Sequence, residues 1–474
     1  MSQYDYDILI LGSGSAAFAA ALKARELGAR VAMTERREVG GTCVNRGCVP
    51  SKNLIRAAEV FHMARHHPFS GIKTHQEGVD FPSLTIQKDN LVHHLRKKKY
   101  LDLVENDDRI SILKGSARFR NANTVEVDGK PVTAEKFLIA TGARTFIPPI
   151  PGINSIPFLT SDLLSTEEGL GLKELPKSIT IIGGGVIACE LGQMFQRLGS
   201  KVTILQRGPR LLTRVDEEIA ATLCQILNDE GVESICDVEV QSVEDSPKGV
   251  TVRAAVSGKT KIFYASRLLV ATGVQPNTEE LGLESVNVST DPLGFIKTDE
   301  TMQTSAPNIW AAGDVTGPPF ATPVGAREGV IAAENMVDPC CQKRMDYRVI
   351  PRAIFTEPEV ATVGLTLEEA KKEGFDADSR SLPLSVVPKA ACILDTRGLV
   401  KMVIDRGTKR ILGVHLIAHN GSDIIHEAAV AIRAGWTTED LVETIHVYPS
   451  MAEAIRMVAQ AFEKDVSRLS CCAE

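Results

Sequence analysis

Tyr6-Asp7-Ile8-Leu9-Ile10-Leu11-Gly12-Ser13-Gly14-Ser15-Ala16-Ala17 is the stretch that decides the fold. Its apolar half predicts a buried strand, and its glycines predict a tight turn into a helix that runs to about Gly28. A second predicted strand, Arg30 to Thr34, ends at Glu35. In such a βαβ unit a pyrophosphate can approach the helix N-terminus, and the acid can accept hydrogen bonds from ribose hydroxyls. The predicted dinucleotide-binding residues are Gly12, Gly14, Ser15, Ala16, Ala17 and Glu35.

Two cysteines follow this unit in a glycine-rich stretch, Gly40-Gly41-Thr42-Cys43-Val44-Asn45-Arg46-Gly47-Cys48-Val49-Pro50-Ser51-Lys52. A helix is predicted from Asn53 to Ala64, so the pair lies near the positive end of a helix dipole, which favours thiolate over thiol. Such a pair can cycle between dithiol and disulfide. The alternatives are two buried core thiols or a zinc half-site, and a zinc site needs a second cysteine pair, which does not follow at suitable spacing. We therefore predict a redox-active pair, whose place directly after the first nucleotide unit indicates that this nucleotide is the flavin.

A second unit of the same kind combines a predicted strand, Ile179 to Ile182, the motif Gly183–Glu190 and a strand from Lys201 to Leu205. The last strand ends in Gln206-Arg207, with Arg210 close by, at the point where an acid would serve NAD. Because arginine accommodates a 2′-phosphate, we predict NADPH; the alternative is that both arginines are ordinary surface charges. The predicted residues of this second site are Gly183, Gly185, Val186, Ile187, Gln206, Arg207 and Gly273.

The strand ends Ala140-Thr141-Gly142 and Ala271-Thr272-Gly273 form a weak internal repeat. Short strands are predicted before the first of them, with a hairpin turn at Asp128-Gly129. A later strand ends in Gly313-Asp314, whose carboxylate suits a ribityl hydroxyl of the flavin. From Asp346 the pattern changes to strand, helix, strands and helices, and a final helix is predicted from Ala452 to Leu469.

The composition is that of an ordinary globular protein of several domains. The 474 residues carry a net charge of −7, with 43% hydrophobic and 24% charged residues, which gives no hint of nucleic-acid binding. No apolar run is long enough to span a bilayer, and Asp5 and Asp7 argue against a signal peptide. Ten irregularly spaced cysteines do not suggest a secreted scaffold, so a cytoplasmic location is expected. His62 and His66 have the spacing of a metal site but no obvious further ligand, and we expect them on an exposed helix face.

Together these motifs resemble the pyridine nucleotide–disulfide oxidoreductases over the whole chain. The resemblance is carried by Gly12–Ala17, Gly40–Lys52, Gly183–Glu190, the two Ala-Thr-Gly strand ends and Gly313-Asp314. It implies an α/β fold with two Rossmann-like domains, which bind FAD and NADPH, and an α+β C-terminal dimerisation domain. The implied boundaries are 1–150 for the first part of the FAD domain, 151–276 for the NADPH domain, 277–345 for the second, central part of the FAD domain, and 346–474 for the dimerisation domain with its C-terminal Cys-Cys tail.

The resemblance also implies a path for electrons, from NADPH to the flavin and from the flavin to Cys48, with Cys43 facing the substrate. Lys52 and Glu190 would pair near flavin N5, where they tune the charge at the point of hydride arrival. The further cofactor-binding residues that it implies are Gly41, Thr42, Lys52, Ala117, Thr141, Gly142, Asp314 and Thr322.

The C-terminal region indicates which branch of the family the chain resembles. Members that act on thiol substrates carry a histidine base oriented by a glutamate; here Tyr448 stands at the histidine position and Glu453 remains. A phenol with a pKa of about 10 is a poor base at neutral pH. With this tyrosine and with Cys471 and Cys472 in its tail, the C-terminal sequence resembles that of the mercuric reductases. This branch implies a homodimer whose active site is shared across subunits, so that the tail of one subunit passes Hg(II) from thiol complexes to the Cys43/Cys48 pair of the other.

Three features depart from that branch. Val186 stands where some members carry a tyrosine over the nicotinamide pocket, Ala321–Val324 is closer to glutathione reductases, and an N-terminal Cys-x-x-Cys module is not expected. The alternatives are a thioredoxin reductase that uses the tail as a dithiol shuttle, a lipoamide dehydrogenase-like enzyme, and a non-catalytic metal-sequestering flavoprotein. Tyr448 argues against the first two, and the intact Cys43/Cys48 pair argues against the third. No role is assigned to Cys340-Cys341.

Overall fold

The structure, a computed structural model, describes residues 3–247, 249–338, 340 and 342–465. Its strands are β1 Tyr6–Leu11, β2 Val31–Glu35, β3 Ile110–Lys114, β4 Ala117–Asn121, β5 Thr124–Val127, β6 Lys130–Ile139, β7 Ala143–Thr145, β8 Ser178–Ile182, β9 Lys201–Leu205, β10 Glu233–Ile235, β11 Val238–Ser246, β12 Gly249–Val256, β13 Lys259–Ala265, β14 Arg267–Val270, β15 Val274–Pro276, β16 Ile309–Ala311, β17 Arg352–Ile354, β18 Glu359–Gly364, β19 Ala377–Pro383, β20 Leu399–Asp405 and β21 Ile411–Ala418. Its helices are α1 Ser15–Glu26, α2 Gly41–Arg46, α3 Cys48–His66, α4 Phe81–Arg96, α5 Asp102–Val104, α6 Val186–Leu198, α7 Glu217–Asp229, α8 Thr322–Val337, α9 Leu367–Lys372, α10 Pro388–Cys392, α11 Gly421–Ala434, α12 Thr438–Glu443 and α13 Glu453–Gln460. A π-helical turn, Lys97–Leu101, joins α4 to α5.

The first sheet has the strand order β3-β2-β1-β6-β5-β4, and β16 also pairs with β6. β1 runs parallel to both β2 and β6, and Ile8 to Leu11 are fully or almost fully buried. This explains the uninterrupted apolar run, because a central parallel strand is covered on both faces. The carboxyl ends of β1, β6 and β16 therefore meet at one edge of the sheet.

The second sheet repeats this arrangement, with the parallel order β10-β9-β8-β14. Gly12, after β1, approaches the carbonyl of Ala140 so closely that any side chain would clash with it. Gly183, after β8, approaches the carbonyl of Ala271 in the same way. The internal repeat predicted from the two Ala-Thr-Gly strand ends is therefore confirmed as a repeated contact between neighbouring strand ends.

Most of the predicted helices and strands are present in the structure, but some begin or end at other residues than the sequence pattern predicts. The hairpin turn is confirmed, since Asp128 and Gly129 both have positive φ between antiparallel β5 and β6. The helix predicted from Asn53 begins five residues earlier, at Cys48. Pro50 does not prevent this because the first turn of a helix needs no internal backbone donors. The last predicted helix ends at Gln460 within the described residues.

The C-terminal region is built on an antiparallel sheet of order β17-β18-β21-β20-β19. α11 and α13 cover it, and Ile455 and Ala459 of α13 lie in its core. The short segment between β17 and β18 passes alongside α6, where it reaches the candidate active site. Among the described residues, no helix is both long and apolar enough to cross a membrane.

Candidate active site

The two cysteines lie at the start of consecutive helices. Cys43 is in α2, and Cys48 is the first residue of α3, with Gly47 between the two helices. The buried Asn45 amide donates to three backbone carbonyls of the same loop, at 3.2, 3.0 and 2.9 Å, so the loop is held from within. Cys43 is half-buried and Cys48 is exposed. The structure thus supplies the helix N-terminus that the sequence predicted for this pair.

The surroundings of Cys48 favour its thiolate. The Cys43 thiol, which donates a hydrogen bond to Cys48, is the main cause that lowers the pKa of Cys48 to about 6. Desolvation of the thiolate by the surrounding protein atoms opposes this, and Thr322 and the Lys52 ammonium reinforce it. The same hydrogen bond, together with burial, raises the pKa of Cys43. Cys48 Sγ lies 3.7 Å from Thr322 Oγ1. At neutral pH the pair is therefore a thiolate supported by a neighbouring thiol.

Lys52 and Glu190 form the predicted ion pair. Lys52 lies one turn after Cys48 on α3, and its Nζ is 2.8 Å from Oε2 of the buried Glu190 on α6. The second carboxylate oxygen of Glu190 accepts the backbone N–H of Phe355 at 2.9 Å. The Phe355 ring also lies beneath Lys52 Nζ, 4.5 Å from the ring centroid. Sequence reasoning missed Phe355, because no local pattern links the segment after β17 to α3.

The first nucleotide unit is continuous with the cysteine loop. A side chain on Gly41 would begin 2.6 Å from Gly14 Cα, so the two backbones are in direct contact. The Ser13 hydroxyl donates to Glu35 Oε2 at 2.5 Å, and Gly40 N donates to the Ser13 carbonyl at 3.0 Å. These contacts bring the end of β2, the turn before α1 and the cysteine loop together, so that all three border the same region of the candidate active site.

The residues around this space fit a dinucleotide. The turn before α1 is faced by glycine and alanine; a side chain on Gly313 would begin 3.2 Å from Ala16 Cβ. Acidic groups stand beyond it, with Glu35 at the end of β2 and Asp314 after β16. Burial raises the pKa of Asp314. Backbone N–H groups at the centre and carboxylates further out suit a pyrophosphate with hydroxyl-bearing arms.

Other predicted cofactor residues lie at the edges of this region. Thr141 Oγ1 donates to the Asn277 carbonyl at 2.9 Å, and Gly142 has a φ of +68°. Thr42 is exposed on α2. Ala117 begins β4 opposite Val127. Ser15 and Ala17 belong to the first turn of α1.

The second nucleotide unit has the same turn before α6. Gly185 precedes the helix, and Val186 and Ile187 begin it, with Val186 44% exposed. After β9, Arg210 donates to the carbonyls of Leu212 and Thr213 at 2.8 and 3.3 Å, so its guanidinium is held by its own loop. Gln206 donates to the Arg210 carbonyl at 3.2 Å. Arg207 is exposed at this edge, which makes it the better placed of the two arginines for a 2′-phosphate.

The predicted C-terminal residues are only partly described. Tyr448 is 49% exposed in the loop before α13. Glu453 is buried, and its Oε2 accepts the Ser450 N–H at 3.2 Å, so it supports the backbone of this loop. His446 is held by Glu427 at 2.6 Å and by the Thr444 carbonyl at 2.8 Å. Cys471 and Cys472 lie outside the described residues.

Tyr100 is a second residue that sequence reasoning missed. It lies in the π-helical turn, where the extra residue per turn re-aims side chains and often marks a functional site. Its ring packs edge-on against Phe18, with centroids 4.9 Å apart, and also faces Gly40 at the start of the cysteine loop. Its pKa is raised mainly by burial, against a hydrogen bond from Ser15, and the charges of Cys43 and Cys48 raise it further. The phenol of Tyr100 therefore packs against the start of the cysteine loop, near enough for the charges of the two cysteines to act on it.

The histidine pair lies on helix α3, and only one of its two members has the predicted exposure. The His62 and His66 rings stack at 4.2 Å, and His62 is half-buried instead of exposed; burial lowers its pKa to about 4. Across the described part of the chain, no group of three or more histidine, cysteine or acidic residues is arranged to hold a metal ion. Cys340 is exposed, and Cys341 lies outside the described residues.

Comparisons with known proteins agree with this geometry. The family model of the pyridine nucleotide-disulphide oxidoreductases matches residues 6–334, and the model of their dimerisation domain matches residues 350–459. The chain is 45% identical over 470 residues to a mercuric reductase of Staphylococcus aureus, covering 99% of this chain and 84% of that protein. It is 41% identical to a mercuric reductase of Streptomyces lividans, covering 99% of this chain and 98% of that protein.

Among solved structures, the HOCl-induced flavoprotein disulfide reductase RclA of Escherichia coli superimposes with a TM-score of 0.84 at 32% identity, covering 96% of this chain and 99% of RclA. A Cu(II) complex of RclA gives a TM-score of 0.83. Both family models together span most of the chain, and the relatives exceed 40% identity over almost all of it. The chain therefore belongs to the pyridine nucleotide-disulphide oxidoreductase family, as a pyridine-nucleotide-dependent flavoprotein oxidoreductase.

Proposed function

We propose that this protein is an NADPH-dependent mercuric reductase, which reduces Hg(II) to Hg(0) at the Cys43/Cys48 pair. The observation that carries the proposal is the similarity of nearly the whole chain to enzymes named mercuric reductase. The chemistry of the pair supports it, since thiolates are soft ligands and Hg(II) is a soft metal ion. Cys48 is already ionised near neutral pH, and Cys43 loses its proton when it becomes the second ligand.

The reaction balances with NADPH as reductant. One hydride carries two electrons, which convert Hg(II) to Hg(0), and its hydrogen is released as a proton; the two cysteine sulfurs are neither oxidised nor reduced overall. FAD, when bound, supplies the chemistry that accepts the hydride and passes two electrons on. Lys52 holds positive charge beside Cys48, and Glu190 balances it, so the thiolate keeps a fixed cation while mercury enters and leaves.

The cofactor assignments belong to the same proposal. Around Gly12, Gly14, Glu35 and Asp314, the backbone and carboxylates would hold FAD, in a domain made of 1–150 and 277–345. Residues 151–276 would form the NADPH domain, with Arg207 at the 2′-phosphate. The remaining part, 346–474, would form the homodimer, as the match to a dimerisation domain supports.

The absence of a strong base at position 448 suits this reaction better than disulfide reduction. Reducing a disulfide requires protons to move to and from a thiol, which a tyrosine performs poorly at neutral pH. Transferring Hg(II) between thiolates needs only ligand exchange. Cys471 and Cys472 would take Hg(II) from solvent thiols and pass it to the partner subunit's Cys43 and Cys48.

An anaerobic substrate panel tests the proposal. NADPH oxidation is followed with Hg(II) in excess thiol, and in parallel with lipoamide, oxidised glutathione, thioredoxin and Cu(II). We expect turnover with Hg(II), and its absence would overturn the proposal. Turnover with Cu(II) alone would favour the second candidate, a Cu(II) reductase, which the Cu(II) complex of the similar RclA structure motivates.

Cysteine variants test delivery by the tail. A Cys471→Ala/Cys472→Ala protein should lose turnover with thiol-bound Hg(II) while NADPH still reduces its flavin. Cys340→Ala, which removes an exposed cysteine elsewhere, is the matched control and should keep full turnover. Equal turnover in the tail variant and the control would refute delivery by the tail.

A further inference from the structure

We propose that Glu328 is a positioning residue of the flavin site, which holds the Gly313-Asp314 turn so that the Asp314 carboxylate is presented to the ribityl hydroxyls of FAD. The inference rests on the proposed function only in assigning FAD to this site. Its test measures the binding of FAD, so it can fail or succeed whether or not mercury is the substrate.

Glu328 lies in α8, is buried, and uses both oxygens of its carboxylate. Oε2 accepts the backbone N–H of Gly313 at 2.7 Å, and Oε1 accepts the hydroxyl of Tyr347, also at 2.7 Å. Because a buried N–H that loses its partner costs more than an ordinary hydrogen bond contributes, the Gly313 peptide is bound to the place where the carboxylate lies.

The Gly313 peptide has a conformation that the turn must hold in place. Gly313 has a φ of +80° and a ψ of −161°, a region that is open almost only to glycine. Its carbonyl accepts from Thr316 N at 2.9 Å within the same turn, whereas its N–H bond to Glu328 joins the turn to α8. Asp314 is the next residue, so a rotation of this peptide would change the direction of the Asp314 carboxylate.

Tyr347 comes from the segment before β17, and this segment is attached to the same helix. Lys343 N donates to Asn335 Oδ1 at 2.9 Å, and Asn335 Nδ2 donates to the Lys343 carbonyl at 2.8 Å. Lys343 Nζ also pairs with Glu334 Oε1 at 2.7 Å. These contacts hold the chain against α8 four residues before Tyr347. Glu328 is therefore held at one oxygen by a fixed segment, while its other oxygen fixes the turn.

Substitutions at position 328 separate hydrogen bonding from size. Glu328→Leu fills a similar space but removes both acceptors, so the Gly313 N–H loses its partner. Glu328→Gln keeps an oxygen that can accept from Gly313 N and an amide that can donate to the Tyr347 hydroxyl. Glu359→Leu is the matched control, because the half-buried Glu359 of β18 also accepts a backbone N–H at 2.7 Å, that of Ser422, but in the C-terminal sheet.

The experiment measures the dissociation constant of FAD by equilibrium dialysis of the holoenzyme over a dilution series, together with the melting temperature of each variant. We expect Glu328→Leu to bind FAD about tenfold more weakly and Glu328→Gln to stay within about twofold of the parent. Glu359→Leu should lower the melting temperature and leave the dissociation constant unchanged. Equal dissociation constants for Glu328→Leu and the parent, or equal weakening in the leucine and glutamine proteins, would overturn the proposal.

A double-variant cycle tests whether Glu328 acts through Asp314. In an Asp314→Ala background, adding Glu328→Leu should change the dissociation constant by less than about twofold, because the group that Glu328 positions is gone. A further tenfold weakening would contradict the proposal, and if Asp314→Ala retains no FAD, the leucine and glutamine proteins decide. If Glu328→Leu does not fold, Tyr347→Phe, which removes one anchor of the carboxylate, decides instead. It should bind FAD about threefold more weakly, and unchanged binding would overturn the proposal.

Discussion

Cys48 Sγ lies 3.7 Å from Thr322 Oγ1, so the first residue of α3 meets the first residue of α8 at the reactive thiol. This contact joins a residue expected to bind the cofactor to one expected to bind the substrate. It makes the thiol sensitive to a hydroxyl that is 274 positions away in the chain.

Removing that hydroxyl should raise the pKa of Cys48. Thr322→Val replaces it with a methyl group of similar size, and the loss of an ordinary hydrogen bond costs roughly 1 kcal/mol. The measurement is the rate of Cys48 alkylation by iodoacetamide as a function of pH, with the modified peptide quantified by mass spectrometry. This pH profile should move to higher pH by somewhat less than one unit. Thr322→Ser, which keeps the hydroxyl, should behave as the parent. Coincident profiles for the valine and serine proteins would contradict this role.

The dependence of kcat/KM on pH should show a loss of activity at acid pH that follows the protonation of Cys48. Its pKa is lowered to about 6, so the thiolate prevails above that pH and is protonated below it. We expect kcat/KM for Hg(II)-thiol complexes to be level above pH 7 and to fall about tenfold per unit well below pH 6. The measurement is initial-rate NADPH oxidation between pH 5 and 8. A rate that stays constant down to pH 5 would show that Cys48 is not the titrating ligand.

Arg207 should discriminate between the two pyridine nucleotides. Replacing it by glutamine removes the exposed charge at the end of β9, and KM for NADPH should rise about tenfold, equivalent to roughly 1.4 kcal/mol. KM for NADH should not change, because NADH has no 2′-phosphate. Arg210→Gln is the comparison: its guanidinium serves the carbonyls of Leu212 and Thr213, so its loss should lower stability without changing nucleotide preference. Equal effects of Arg207→Gln on both nucleotides would count against NADPH selection by this residue.

Gly329 should be essential for packing α8 against α1. A Cβ there would overlap the Ala16 carbonyl oxygen, so Gly329→Ala forces the helices apart. Overpacking of this kind typically costs about 1–3 kcal/mol, and FAD retention should fall because Ala16 lies in the first turn of α1, directly after the glycine turn. Gly78→Ala, at a position with open space, controls for the substitution itself. Thermal unfolding followed by flavin fluorescence provides the measurement, and equal melting temperatures for the two variants would refute the packing argument.

Much of this architecture was readable from short patterns. The glycine turns at Gly12 and Gly183 and the apolar strands around them follow from local rules, because each turn needs a residue without a side chain at a fixed distance from a buried strand. The Lys52–Glu190 pair was also predicted, by resemblance, and its 2.8 Å separation confirms the contact.

The site residues that the sequence did not predict depend on contacts between segments that are distant in the chain. Phe355 reaches Lys52 only because Gln193 and Arg197 hold the segment after β17 against α6, and nothing near Phe355 in the sequence reports this. Tyr100 reaches the cysteine loop through a π-helical turn that interrupts a regular helix pattern. The helix α3 also begins five residues before the predicted start, since Pro50 is compatible with the first turn of a helix.

The most direct measurement is the yield of elemental mercury per NADPH. In an anaerobic single-turnover experiment, the protein is supplied with a limiting amount of NADPH and excess Hg(II)-thiol complex, and Hg(0) is purged and trapped. The account predicts one Hg(0) for each NADPH oxidised, and none from a Cys48→Ala protein whose flavin is still reduced. NADPH oxidation without Hg(0), or undiminished Hg(0) from Cys48→Ala, would contradict reduction of mercury at the Cys43/Cys48 pair.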